Sequence, residues 1–254
     1  IYLNCDTLSS GRKNGRKYLK IRERETSELQ LLEAEEFFIA PGIVPNSDSL
    51  KTESLGIACD AKGWIKTNEF LETNVENVYA LGDINGRAQL RHKANYEASV
   101  LAYNLFGPGS EAADKRRKVS YDFVPAGTFS AMQIGTVGLT EEEAVRRNIP
   151  HKVGRLDFSA TAQGYARGYL PGDPDDGFAK VIVTADGKKF LGMHVIAPEA
   201  SSLVQPYVYL MAAGGEFETA PDDPEIVRRA MTIHPSLAEL PAWSIGAWRE
   251  DEKR

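Results

Sequence analysis

With 254 residues, 42% hydrophobic and 26% charged, the chain has the balance of a water-soluble globular protein and the length of one large domain or two ordinary ones. A formal charge of −6, with a basic run only at DKRRK (114–118), excludes a nucleic-acid footprint, and that run reads as a solvated linker. No apolar run approaches the roughly 20 residues that cross a bilayer, no secretory leader opens the sequence, and Cys5 and Cys59 lack the spacing of a zinc site or a redox pair, so a cytoplasmic chain with no membrane partner and no metal is expected.

The first forty residues read as a β-meander. IYLNC and RKYLKIRE alternate apolar and polar positions, and Asn14-Gly15 is a turn signal just before the second run. AEEFFIAPGIVPN adds a short buried run at Phe37, Phe38 and Ile39, stopped by Pro41-Gly42 and Pro45-Asn46, where a boundary is expected. GWIKTNEFLETNVENVYALGD then predicts a short strand at 64–67 and an apolar strand at Val78–Leu81. The second ends on Gly82-Asp83, the position where α/β sheets place their chemistry. In LRHKANYEASVLAYNLFG, Ala94, Ala98, Leu101, Ala102 and Leu105 recur at helical spacing, predicting a helix from near residue 91 closed by Gly107 and Pro108.

From residue 119 the pattern becomes α+β. In TEEEA, Thr140 with Glu143 forms a capping box that opens a short helix to about Arg147. GFAKVIVTADGKKFLGMHVIA is two alternating strands around Asp186-Gly187, the strongest hairpin signal in the chain. Helices are expected at about 200–213, 222–231 and 236–243. In TIHPSLAEL, Pro235 fixes its own φ and turns His234 away from helical geometry, so the imidazole should sit on a stiff extended segment just before the last helix. An isolated His-Pro is usually no more than a helix-start proline beside a satisfied histidine.

Taken in order, these blocks resemble the C-terminal half of the flavin-dependent pyridine nucleotide–disulfide oxidoreductases, the family of dihydrolipoamide dehydrogenase, glutathione reductase and mycothione reductase. APGIVPNSD (40–48) is similar to the family's crossing out of the NAD domain, NVYALGD (77–83) to its second flavin motif, AMQIGTVGLTEEEA (131–144) to the start of its interface domain, and HPSLAE (234–239) to its catalytic close. LRHKANYEA, GYLPGDPDDGFAKVIV and GMHVIAPEASSLVQ look most like dihydrolipoamide dehydrogenases. The resemblance implies a mixed α/β and α+β architecture. Residues 1–45 would be the last strands of an NAD-binding domain, 46–118 the second segment of an FAD-binding domain, and 119–254 an interface domain of antiparallel sheet and flanking helices.

The site residues follow from the same motifs. Gly82 lets backbone approach a ligand, and Asp83 stands where the family holds a ribityl hydroxyl of FAD. Leu90, Arg91 and His92 open the helix whose N-terminal N–H groups would face the flavin's pyrimidine edge, although His92 and Lys93 read equally well as solvated first-turn residues. Disulfide exchange needs a group that gives and takes a proton near neutrality beside a sulfur, which suits His234. Glu239 on the far ring nitrogen would fix the tautomer and stabilise the imidazolium. In the resembling enzymes this histidine serves the partner subunit, so a homodimer through 119–254 and a small disulfide or dithiol substrate are implied.

The departures are also informative. The glycine-rich loops and C-x4-C redox pair of the family are absent, and Ile43 stands where the family usually has arginine. The expectation is therefore a C-terminal segment of a longer FAD- and NAD(P)-dependent enzyme, inactive alone and binding FAD weakly or not at all. A mycothione- or glutathione-type reductase, and a stand-alone dimerisation module without catalysis, are the alternatives.

Overall fold

The computed structural model describes residues 1–213, 224, 227, 231–245 and 247, so the helix expected at 222–231 falls, but for isolated positions, outside the described residues. The chain divides into two compact units, Ile1–Val44 and Pro45–Arg254.

The first unit is an antiparallel meander of β1 (Cys5–Lys13), β2 (Arg16–Glu23) and β3 (Leu29–Ala34) with β2 in the middle. Asn14 and Gly15 both take positive φ, 51° and 80°, the two-residue turn whose twist matches the flanking strands. The opening strand begins at Cys5, four residues later than IYLNC suggested, and Ile1 to Leu3 are exposed. The buried run expected at Phe37, Phe38 and Ile39 does not form: Phe38 is 96% exposed and no strand passes through it. An apolar run becomes a strand only where a neighbour aligns its own N–H and C=O groups, and the sheet of this unit consists of β1, β2 and β3 with no strand drawn from 37–39.

In the second unit, the strands expected at 64–67 and 78–81 reduce to isolated bridges, Cys59 with Ile65 and Glu72 with Tyr79. A single 3-10 turn, Gly82–Asn85, follows and leads to α1 (Arg91–Phe106), with Gly107 as its C-cap. The helix forms where expected but turns a different face inward. Lys93, Glu97, Val100 and Asn104 are buried, whereas Ala98 and Ala102 are exposed. Asn104 clamps the basic run itself, accepting from Arg117 N–H and donating to Arg117 C=O, both at 2.8 Å. The run is no free linker either: Arg116 pairs with Glu72 and lies over Phe70, and Arg117 lies over Tyr103.

The remaining elements build one antiparallel sheet. Its strands are β4 (Ala126–Thr128), β5 (Gln133–Gly138), β6 (His151–Asp157), β7 (Phe178–Thr184) and β8 (Phe190–Ala197), in the order β4-β5-β8-β7-β6. β7 and β8 form the expected hairpin around Asp186-Gly187. Between β5 and β6, α2 (Glu141–Arg146) starts on the capping box, with Glu143 N–H on the Thr140 hydroxyl at 3.1 Å and Thr140 N–H on the Glu143 carboxylate at 2.9 Å. A short α3 (Ala162–Ala166) follows β6. α4 (Ala200–Ala213) packs on β5 and β8, and α5 (Glu239–Ser244) on β6 and β7, closing a core of Val181, Val183, Met193, Val195, Tyr207 and Leu240.

Two strand glycines set how closely these helices approach. A Cβ on Gly135 would stand 2.4 Å from the Ala200 carbonyl oxygen, and one on Gly154 2.1 Å from that of Ser244. Neither carbonyl can retreat without dragging its helix off the sheet. α5 itself starts at Glu239, three residues later than expected. The His234–Pro235 peptide is cis, and residues 234–238 form bends and turns, so the proline shapes the approach to the helix and is not its first residue. Gly154→Ala is expected to cost roughly 1–3 kcal/mol by overpacking α5 against β6; a lower thermal midpoint than wild type, followed by circular dichroism, is the check.

Candidate functional site

Two constellations in the second unit carry chemistry. The first joins the 82–85 turn to α1. Leu71 and Ala80 are buried beneath it, and Gly82 takes φ +75°, which admits glycine and strains any other residue. Glu97, on the second turn of the helix and fully buried, accepts from Gly82 N–H (2.6 Å), Asn85 Nδ2 (2.8 Å) and the Tyr121 hydroxyl (2.6 Å). Lys93, one helical turn earlier and also buried, donates to Gly82 C=O (2.8 Å), Asn85 Oδ1 (3.0 Å) and Glu97 Oε2 (3.2 Å). A charge pair in low dielectric is tolerable only when its remaining donors and acceptors are met, and here they are.

The electrostatics follow from these contacts. Burial alone would raise the Glu97 carboxyl, but Tyr121, Gly82 N–H, Asn85 and the Lys93 charge together outweigh it and hold it below its ordinary 4.5. Tyr121 is pushed well above its usual range, first by burial and then by its bond to the carboxylate. Arg87 lies over the Tyr121 ring at 4.8 Å, extending the cluster to the 86–90 loop.

What the cluster holds in place is the set of residues singled out as cofactor-binding. Gly82 is gripped on both its N–H and its C=O. Asp83 is exposed and its carboxylate makes no hydrogen bond among the described residues. Leu90 is the N-cap of α1 and has no side chain able to cap it, so the first-turn N–H groups are left for a ligand or water. Arg91 is exposed. His92 is committed elsewhere, with Nε2 at 2.7 Å from Pro125 C=O, which leaves its backbone N–H rather than that nitrogen for a ligand. An open helix N-terminus offers donors to an anionic group, and the free carboxylate beside it offers an acceptor to a hydroxyl. Of His92 and Lys93, which the sequence leaves equally open as solvated first-turn residues, Lys93 is buried structure, and so is Glu97, to which the sequence assigned no role. The four-residue spacing of opposite charges on one helix face signals that the two pair, but not that they are buried.

The second constellation is at the start of α5. Glu239 is completely buried, and its carboxylate accepts from His234 Nδ1–H (2.5 Å) and Ser236 N–H (3.0 Å). His234 has 65% of its side chain exposed. With Nδ1 engaged, Nε2 is the nitrogen presented outward. Leu240 and Ile245 anchor α5 in the core, so the carboxylate is a fixed mount for a solvent-facing ring. No group of three or more metal-ligating side chains occurs among the described residues, and no helix described is long and apolar enough to cross a membrane.

With this geometry in view, comparison with known proteins places the chain. The family model of the pyridine nucleotide-disulphide oxidoreductase dimerisation domain matches residues 124–245, and that of pyridine nucleotide-disulphide oxidoreductase matches 6–98. The chain belongs to this family. It is 30% identical over 208 residues to dihydrolipoyl dehydrogenase 3 of Haloarcula marismortui, covering 82% of this chain and 40% of that protein. It is 33% identical over 211 residues to mycothione reductase of Mycobacterium tuberculosis, covering 82% and 43%. Among solved structures, the HOCl-induced flavoprotein disulfide reductase RclA of Escherichia coli shares the fold with a TM-score of 0.73 at 22% identity, over 92% of this chain and 48% of that one. The chain thus spans less than half the length of the relatives it matches.

The Glu97 cluster makes a pH prediction. Its folded carboxyl lies below the unfolded value, so its contribution is fully present above about pH 4.5 and is lost as pH falls through the lower folded value. Glu97→Gln should flatten the acid side of the stability-versus-pH curve. Lys93→Met, which leaves a buried carboxylate unpaired, is expected to cost roughly 3–5 kcal/mol at neutral pH. Urea unfolding of the three proteins from pH 7 down to about pH 2 measures both effects.

Proposed function

We propose that the chain supplies the second flavin-binding segment and the interface domain of an FAD- and NAD(P)-dependent disulfide oxidoreductase of the dihydrolipoamide dehydrogenase type. The observation that carries this reading is the exposed His234 ring held through Nδ1 by a buried Glu239. In this reading, residues 1–45 end an NAD-binding domain, 46–118 complete an FAD-binding domain and 119–254 make the dimer. Bound FAD would pass electrons between NAD(P)H and a cysteine pair.

The roles of this chain's own residues follow from their placement. Asp83 would accept a hydrogen bond from a ribityl hydroxyl, and Gly82 would let the backbone come close enough for it. The first-turn N–H groups of α1, at Arg91 and His92 after Leu90, would stabilise negative charge on the flavin's pyrimidine edge. His234 Nε2 would take a proton from an attacking thiol and return it to a leaving thiolate, while Glu239 holds the ring in one tautomer and compensates its charge. Tyr209, Ile233 and Phe129 are large exposed apolar groups in the interface portion, which supports a homodimer through 119–254.

A mycothione-type reductase is the second reading, because that relative is as similar as the dihydrolipoyl dehydrogenases. Assay of the reductase encoded by the complete reading frame, with lipoamide and with a mycothiol disulfide, separates the two. A frame without glycine-rich loops or a C-x4-C pair would instead leave a dimerisation module.

Two outcomes test the reading directly. Sedimentation at micromolar concentration should give a dimer; a stable monomer counts against it. In the reductase, a His234→Ala chain and a chain lacking the redox cysteines should each lose about 10²–10⁴-fold in rate as homodimers, yet regain activity when reassorted into mixed dimers, since one of the two sites is then intact. Glu239→Gln should be milder. Mixed dimers as inactive as their parents would show that His234 does not act across the interface.

A further inference from the structure

Trp243 is the one large aromatic of α5, and the core does not need it. Leu240 and Ile245 are fully buried on the side of the helix that meets the sheet, while Trp243 is 44% exposed. Single exposed aromatics are common and by themselves mean nothing. Its orientation is more specific. Glu239 and Trp243 are four residues apart, so they stand one above the other on the same helix face. That face meets the His234 ring: Nδ1 contacts the Glu239 carboxylate, and the imidazole plane lies within 20° of the indole plane with centroids 6.5 Å apart.

A carboxylate contact at one nitrogen works as a hinge. It fixes where Nδ1 is, but coupled changes in χ1 and χ2 that keep the contact can still tilt the ring, and the tilt carries Nε2 through an arc. A second surface, nearly parallel to the ring, restricts the tilt. The indole has the rigidity for this because its backbone is seated: the neighbouring Ser244 carbonyl lies against Gly154, where a Cβ would come within 2.1 Å. Ring centroids separated by about 4.5–7 Å are in the range of favourable aromatic pairing.

We propose that Trp243 is a positioning residue for His234, its indole face setting the plane of the imidazole and so the direction in which Nε2 points. The inference rests on the acid/base reading of His234. Trp243 itself touches no substrate in this scheme; it acts through the ring.

The experiment has a spectroscopic and a kinetic arm. The chain contains four histidines, and with isotopically labelled histidine the His234 Hε1 and Hδ2 signals are assigned by their loss in His234→Gln. Ring current from the indole displaces them, so Trp243→Leu should move the His234 signals and leave those of His92, His151 and His194 in place. Trp243→Phe should keep a smaller displacement of the same sign. His234 signals that do not respond to Trp243→Leu overturn the proposal, as does movement of all four histidines, which would make Trp243 a packing residue.

In the reductase, Trp243→Leu should lower kcat by up to about 10²-fold, as misplacement of a reacting group does, with KM unchanged. Trp243→Phe should recover most of the loss. An unchanged kcat in Trp243→Leu beside an inactive His234→Ala overturns the positioning role alone. A fully active His234→Ala overturns the acid/base reading, and the positioning role with it.

Discussion

A carboxylate taken out of water must have both its oxygens hydrogen-bonded, and two buried glutamates impose that condition on the second unit. Glu97 and Glu239 are both fully buried, one on α1 and the other at the first position of α5. Each recruits a backbone N–H from a neighbouring turn, Gly82 for the first and Ser236 for the second. Each also recruits a charged or chargeable partner, Lys93 or His234. Leaving such a group unanswered costs several kcal/mol, so the turns are not free to drift from the helices. The residues with chemistry to offer lie on those two turns or begin the helices beside them.

The two sites differ in what the glutamate holds. Lys93 is as buried as Glu97 and finds three acceptors, so that cluster is closed and its product is a shaped turn. His234 reaches out of the protein, with only its inner nitrogen committed. The first arrangement suits a rigid seat for a ligand, and the second suits a group that changes its proton. The same distinction explains why Asp83, next to the closed cluster, keeps its carboxylate free.

Only the second of the two sites is seated on the antiparallel sheet. β6 and β7 carry α5, and the missing side chain at Gly154 lets the helix sit low enough for Glu239 and Leu240 to be buried. On the other side of the second unit, α1 has few apolar residues inside. Its stability comes from the ionic cluster and from Asn104, which gives and takes a hydrogen bond with the segment that leads into the sheet.

Local signals in the chain determined the meander turn at Asn14-Gly15, the capping box of α2, the hairpin around Asp186-Gly187, and the extents of α1 and α4. Each rests on interactions within a few residues, which sequence spacing specifies directly. The pairing of His234 with Glu239 was legible only through the resemblance of HPSLAE to the family's catalytic close, since an isolated His-Pro carries no such signal. What only the tertiary structure decided is which face of α1 turns inward, and whether apolar runs at 37–39, 64–67 and 78–81 become strands. Burial of Lys93 and Glu97 is favourable only because Gly82, Asn85 and Tyr121 converge on them from 8 to 24 residues away. A strand, likewise, exists only if another segment presents its backbone in register. Those conditions lie in partners distant along the chain, and no local pattern of residues contains them.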